Sequence, residues 1–284
     1  GYSMAVILDG KEVARKIRQN LKEEVSKLKE EGISPKLAVI MVGDDSASKI
    51  YVKNKSIACN EIGIEYEEYL LNEETTMDEL LSLIDKLNND KAINGILLQS
   101  PIPKNLDINE AFKAIDPIKD VDGFNPMNVG KLCLGQDAFI SCTPYGVIKI
   151  LEDYNIEIEG KNAVIIGRSN IVGKPMLQCL LNKNATVTVC HSRTKNLAEI
   201  TKMADILVVA IGKSKFVTKD MVKDGAVVVD VGINRGEDGK LCGDVDFEEV
   251  SKVASYITPV PGGVGPMTIA MLMNNIVKAT KLQN

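Results

Sequence analysis

The sequence holds a single histidine, His191, and none of its six cysteines (59, 133, 142, 179, 190 and 242) stands two residues from another. Those absences argue against zinc or iron–sulfur ligation, and so for no bound metal. They leave a Ser-His-Asp arrangement with only His191 to draw on. Thiols scattered without a pairing framework suit a reducing cytoplasm. No apolar run approaches the roughly 20 residues that span a bilayer, and no secretory leader is visible. Gly1-Tyr2-Ser3 before Met4 reads as a remnant of expression cloning ahead of the natural initiator. A basic excess is also missing. The net charge of -5 argues against a nucleic-acid backbone or an anionic membrane as the main partner, though not against an anionic small molecule held by local basic residues. There is no internal repeat.

What remains is ordinary globular composition, 45% hydrophobic and 26% charged over 284 residues, enough for one large or two modest domains. Apolar runs of strand length alternate with amphipathic stretches of helix length, the signature of a parallel α/β architecture. In the first half the strand-like runs are 37–42, 64–70 and 93–98, with helical patterns at 13–30, 47–62 and 77–87 between them. Thr76 with Glu79 reads as a capping box. A Pro/Gly-rich stretch, 117–135, interrupts the alternation, and a helical run at 145–154 leads onward. The second half starts the pattern again with strands at 162–166, 185–190, 206–211, 226–231 and 256–257, and a helix at 267–281 closes the chain. We expect two domains, each a mainly parallel sheet with flanking helices. They are 4–140, with the closing helix 267–284 packing back on it, and 141–266.

Residues 162–265 read as a doubly wound dinucleotide-binding unit of Rossmann type. After the first strand come Gly167-Arg168-Ser169 and then Gly173-Lys174-Pro175. A glycine at a strand end lets the backbone turn toward a pyrophosphate at the next helix's N-terminus. Ser169 and Val172 stand where the usual fingerprint has its second and third glycines, so this pair is equally compatible with a plain tight turn. The next strand is more informative. NAD enzymes commonly end it in a carboxylate for the ribose hydroxyls. Here it runs into His191-Ser192-Arg193-Thr194, with no acid before Glu199. Ser192 with a guanidinium from Arg168 or Arg193 suits a ribose 2′-phosphate, which favours NADP over NAD; the bland alternative is a solvated polar loop.

In the 47–62 helix, Ala47, Ile50, Ile57, Ala58 and Ile62 form the expected buried stripe, with Ser48, Tyr51 and Lys55 on its rim. A rim lysine alone is usually a solvated charge. Five motifs occur in order: Gly43 to Ser48 with Tyr51 and Lys55; Gly95 to Pro103 through Gln99; Lys119-Asp120-Val121-Asp122-Gly123-Phe124; Gly167 to Pro175; and Pro259 to Pro266. Together they closely resemble the bifunctional methylenetetrahydrofolate dehydrogenase/methenyltetrahydrofolate cyclohydrolase family over essentially the whole chain. Ser100 departs from the aliphatic residue expected after the glutamine.

The resemblance implies folate in a cleft between the domains, NADP on the second, and a homodimer. It implies Lys55, Gln99, Tyr51 and Asp122 as catalytic residues, with Tyr51 stacking on the folate and Asp122 anchoring the pteridine. It further implies Leu98, Ser100, Pro261, Gly262, Gly263, Val264 and Gly265 as substrate contacts, and Gly167, Arg168, Ser169, Ser192 and Ile233 as cofactor contacts. Another two-domain NADP dehydrogenase, or an NADP-sensing module, would share the second half. Neither has reason to carry Tyr51, Lys55, Gln99 and Asp122.

Overall fold

The computed structural model describes residues 4–284; residues 1–3, read above as a cloning remnant, lie outside them. Chain order is β1 (Val6–Ile7), α1 (Gly10–Glu30), β2 (Lys36–Val42), α2 (Ser46–Ile62), β3 (Glu65–Leu71), α3 (Met77–Asn88), β4 (Gly95–Leu98), α4 (Ile108–Ala114), α5 (Pro126–Cys133) and α6 (Cys142–Asp153). It continues through β5 (Asn162–Ile166), α7 (Gly173–Asn182), β6 (Thr186–Cys190), α8 (Leu197–Thr201), β7 (Ile206–Val209) and β8 (Val227–Asp230). The short elements β9 (Asn234–Arg235), β10 (Leu241–Cys242), α9 (Phe247–Val250) and β11 (Tyr256–Ile257) precede α10 (Val264–Leu282).

The chain divides into two compact units. One, formed by 16–140 and 269–284, holds a parallel sheet in the order β3-β2-β4. Central β2 is buried along nearly its whole length, as expected of a parallel strand covered on both faces. Leu80, Ile84 and Leu87 recur at helical spacing along α3 and are inaccessible against Ala38, Ile40, Ile96 and Leu98. Each such side chain contributes about 1.5–3 kcal/mol through burial. Thr76 and Glu79 do form a capping box at the start of α3. Within this unit Asn275 of α10 donates through Nδ2 to the carbonyls of Val121 (2.9 Å) and Ile140 (3.1 Å).

The other unit, residues up to Arg15 with 141–268, holds a six-stranded parallel sheet, β1-β11-β8-β7-β5-β6. Short β1 joins it by pairing with β11. Counted from β5, the strands run 2-1-3-4-5, a doubly wound order whose connections reverse direction between β5 and β7. The strands β5, β7 and β8 are mostly Ile, Leu and Val, which suits sheets buried on both faces. Among the described residues, no helix is long and apolar enough to cross a membrane.

Two expectations need correction. The 117–135 stretch is not an interruption only. Asn125 caps α5 by accepting from the Met127 N–H at 2.8 Å, and Pro126 occupies the first turn, where its missing N–H costs nothing. The buried stripe of α2 is Ser48, Val52, Ala58, Cys59 and Ile62, whereas Ala47, Ile50 and Ile57 are exposed. The register turned because Ser48, though polar, is buried with its hydroxyl donating to Asp45 Oδ2 (3.0 Å) and the Ser100 carbonyl (3.2 Å).

Candidate active site

That shift places Lys55 differently from the sequence expectation. Ser48, Val52, Lys55 and Cys59 follow one another at helical spacing, so Lys55 lies half-buried on the inward line of α2 rather than on its rim. Its Nζ donates to Gln99 Oε1 at 2.6 Å. Gln99 is 7% exposed and directly follows β4, and its N–H extends the ladder by donating to the Ile40 carbonyl at 2.9 Å. Gln99 Nε2 donates to the Ser100 carbonyl at 3.2 Å, which fixes the amide with its oxygen toward the lysine. The Ser100–Pro101 peptide is cis. Tyr51, one turn before Lys55, is 53% exposed. Leu98 lies within the apolar core, so only its backbone is available for the substrate contact expected of it.

The Asp-x-Asp-Gly motif divides its labour. Buried Asp120 accepts from the N–H groups of Phe124 (3.2 Å) and Asn125 (2.8 Å) and from Asn128 Nδ2 (2.9 Å). It therefore holds the turn, a role sequence reasoning missed because it considered only Asp122 of the motif. The turn also bridges to β4 through the Ile96 N–H and the Lys119 carbonyl at 2.8 Å. Asp122 is left free of the turn's own bonds. Burial raises its carboxyl to about 7, while the charge of nearby Lys55 pulls it down and Asp120 pushes it up. The first unit thus gathers Tyr51, Lys55, Gln99 and Asp122 from one helix, one strand end and one turn.

In the other unit, Gly167 ends β5 with φ 125°, and a Cβ there would overlap the Ala210 carbonyl that follows β7. Only glycine fits this turn. Ser169 Oγ accepts from the Val172 N–H (3.0 Å) and the Gly173 N–H (3.4 Å) at the start of α7, so Ser169 closes the turn that the missing second glycine would otherwise shape. Arg168 and Ser192 are exposed at the ends of neighbouring strands β5 and β6. His191 belongs to the turn after β6: its Nδ1 accepts from the Arg193 N–H at 3.2 Å, and its N–H donates to Thr194 Oγ1 at 2.8 Å. The carboxyl ends of doubly wound strands, at the reversal of order, are where such folds bind dinucleotides. A backbone cradle closed by Gly167, a helix N-terminus and an arginine without a competing carboxylate suit a pyrophosphate and a 2′-phosphate. Ile233, Pro261, Gly262, Gly263, Val264 and Gly265 line one cavity of about 130 Å³, so expected cofactor and substrate contacts meet there.

Comparison with known proteins agrees with this geometry at both ends of the chain. Residues 8–122 match the model of the tetrahydrofolate dehydrogenase/cyclohydrolase catalytic domain, and residues 141–284 match that of the NAD(P)-binding domain. The bifunctional protein FolD of Campylobacter concisus is 60% identical over 275 residues, covering 97% of this chain and 97% of that protein. The crystal structure of the bifunctional FolD methylenetetrahydrofolate dehydrogenase/cyclohydrolase from Campylobacter jejuni superposes with a TM-score of 0.97 at 55% identity, covering 99% of this chain and 100% of that one. The Trypanosoma brucei enzyme, solved with NADP cofactor and inhibitor, gives a TM-score of 0.93 at 37% identity over 99% of this chain and 98% of its own.

Proposed function

The chain belongs to the tetrahydrofolate dehydrogenase/cyclohydrolase family, and from that premise we propose how its own residues divide the two reactions. It oxidises 5,10-methylenetetrahydrofolate to 5,10-methenyltetrahydrofolate with NADP and hydrolyses the product to 10-formyltetrahydrofolate. The observation that carries the residue assignment is the Lys55–Gln99 bond of 2.6 Å with Asp122 close enough to feel the lysine's charge.

NADP supplies the acceptor for the hydride that leaves the methylene carbon. Gly167, Arg168, Ser169, Ser192 and Ile233 would hold it. The methenyl cation is stabilised by its two flanking nitrogens, so this step asks the protein for alignment more than for a base. Tyr51 stacks on the folate, and Asp122 accepts two hydrogen bonds from the aminopyrimidine edge, a fork that fixes its orientation. Hydrolysis needs proton transfer. Lys55 is the group placed to take the proton of the attacking water and to return it to the departing nitrogen. Gln99 keeps Lys55 aimed at the reacting carbon.

Cofactor choice tests the second half of this reading. NADP should be used with a higher kcat/KM than NAD. Arg168→Ala should remove about ten- to a hundredfold of that advantage, the range of one or two charge-assisted hydrogen bonds. Equal use of both cofactors by the unmodified protein would refute the phosphate-binding role.

We also read the protein as a cytoplasmic homodimer. Free thiols support the compartment. The open edge of β3, with exposed Leu70, and exposed Ile50 and Ile57 on α2 support the assembly. A monomer in sedimentation velocity at micromolar concentration would contradict it.

A further inference from the structure

Two aspartates not singled out by the sequence lie beneath the cofactor edge of the six-stranded sheet. Asp230 ends β8 and is 4% exposed; Asp244 follows the β9–β10 hairpin and is 0% exposed. Asp230 accepts from the N–H groups of Gly232, Asp244 and Val245, each at 3.0 Å. Asp244 accepts from the N–H groups of Ile211 (2.8 Å) and Gly212 (3.0 Å) and from Asn234 Nδ2 (2.8 Å). Each of these donors therefore lies in a loop at the carboxyl end of β7 or β8, or in or just after the hairpin that follows β8. The packing is mutual: a Cβ at Gly232 would overlap the Asp244 carboxylate, and one at Gly243 would overlap that of Asp230.

Buried carboxylates are costly, and an apolar contact of similar volume would serve cohesion as well. What an apolar contact cannot do is fix the direction of backbone N–H groups. Ile211 and Gly212 directly follow Ala210, whose carbonyl packs closely against the Gly167 turn. On the other loop Ile233 is 59% exposed between Gly232 and Asn234, both tied to the pair. A branched apolar side chain is thus held outward on a clamped frame, at the sheet edge where a planar cofactor ring binds.

We propose that Asp230 and Asp244 are positioning residues for hydride transfer. They hold the loops after β7 and β8 in the shape that receives the nicotinamide half of NADP, and they take no part in hydrolysis. This rests on the NADP-dependent reading above. Asp244→Asn is the informative variant. It keeps the volume but turns one acceptor into a donor, so an N–H of Ile211 or Gly212, or the Asn234 amide, faces another donor. In the full-length protein, kcat/KM for NADP should fall about tenfold or more, while NADP-free hydrolysis of methenyltetrahydrofolate stays within about twofold. Asn234→Ala removes a partly exposed donor and spares the fold. It should lower NADP-dependent turnover about three- to tenfold and likewise leave hydrolysis unchanged. Parallel loss of both activities, or unaltered NADP kinetics in Asn234→Ala, would overturn the proposal. An unmodified protein that hydrolyses methenyltetrahydrofolate but reduces no NADP would overturn the functional reading as well, whereas a defect confined to the variants concerns the loops alone.

Discussion

Lys55→Met is expected to lower cyclohydrolase turnover by about 10²- to 10⁴-fold, the span that a positioned acid–base group contributes. Oxidation of methylenetetrahydrofolate should persist. The reason is the unequal chemistry of the two steps. Hydride departs without a base, whereas the attacking water cannot lose its proton unaided. Methionine keeps an unbranched apolar stem on the inward line of α2 and gives up the Nζ contact with Gln99 and the charge that acts on Asp122. Folding should therefore be little affected. The decay of methenyl absorbance reads hydrolysis, and the nicotinamide band reads oxidation. Intact hydrolysis with diminished hydride transfer would reverse the assignment and remove Lys55 from its role.

Asp122→Ala should weaken folate in both reactions together, because orientation of the pteridine precedes either. Losing two hydrogen bonds to a charged acceptor corresponds to about 10²-fold or more in kcat/KM. The pH profile sharpens this. Burial sets the carboxyl to about 7 in the ligand-free protein, so below that pH it is protonated and presents one acceptor fewer. Folate kcat/KM should decline in both reactions as pH falls from about 8 to about 6, and Asp122→Asn should flatten that decline. The sign for stability is opposite. A carboxyl whose pKa is raised by folding contributes fully to the native state below its unfolded pKa, and that contribution is lost as pH rises through about 7. At pH 8, therefore, Asp122→Ala should melt no lower than the unmodified protein. An effect confined to NADP affinity, or a variant that fails in function because it melts early, would count against the anchor.

The cofactor half was legible because its signals are local. Apolar strand runs, a glycine at a strand end and the missing acid before His191 each depend on a few consecutive residues, and β5 and β11 fall on the expected bounds. The face of α2 was not legible. Apolar counting favoured Ile50 and Ile57, but burial of Ser48 is decided by Asp45 nearby and by the Ser100 carbonyl 52 residues away. The same long-range bonding moved Lys55 inward to Gln99. The 117–135 stretch read as an interruption, but Asn125 caps a helix there with Pro126 in its first turn. The resemblance singled out Asp122, whereas the turn-holding role of Asp120 shows only in its partners. Asp230 and Asp244 could not be found as a pair, since nothing in a strand-end aspartate and a loop aspartate announces that the fold brings them together. An acid closing an otherwise apolar strand, as Asp230 does, is the one local sign that was there to read.

The most direct measurement is a progress curve of the unmodified protein with 5,10-methylenetetrahydrofolate and NADP, recording the nicotinamide and methenyl bands together. The expected result is NADPH formation with 10-formyltetrahydrofolate as the end product, and methenyltetrahydrofolate added alone should be hydrolysed without NADP. Reduction of NADP that stops at the methenyl compound, with no enzymatic hydrolysis, would contradict the claim that this chain performs both reactions.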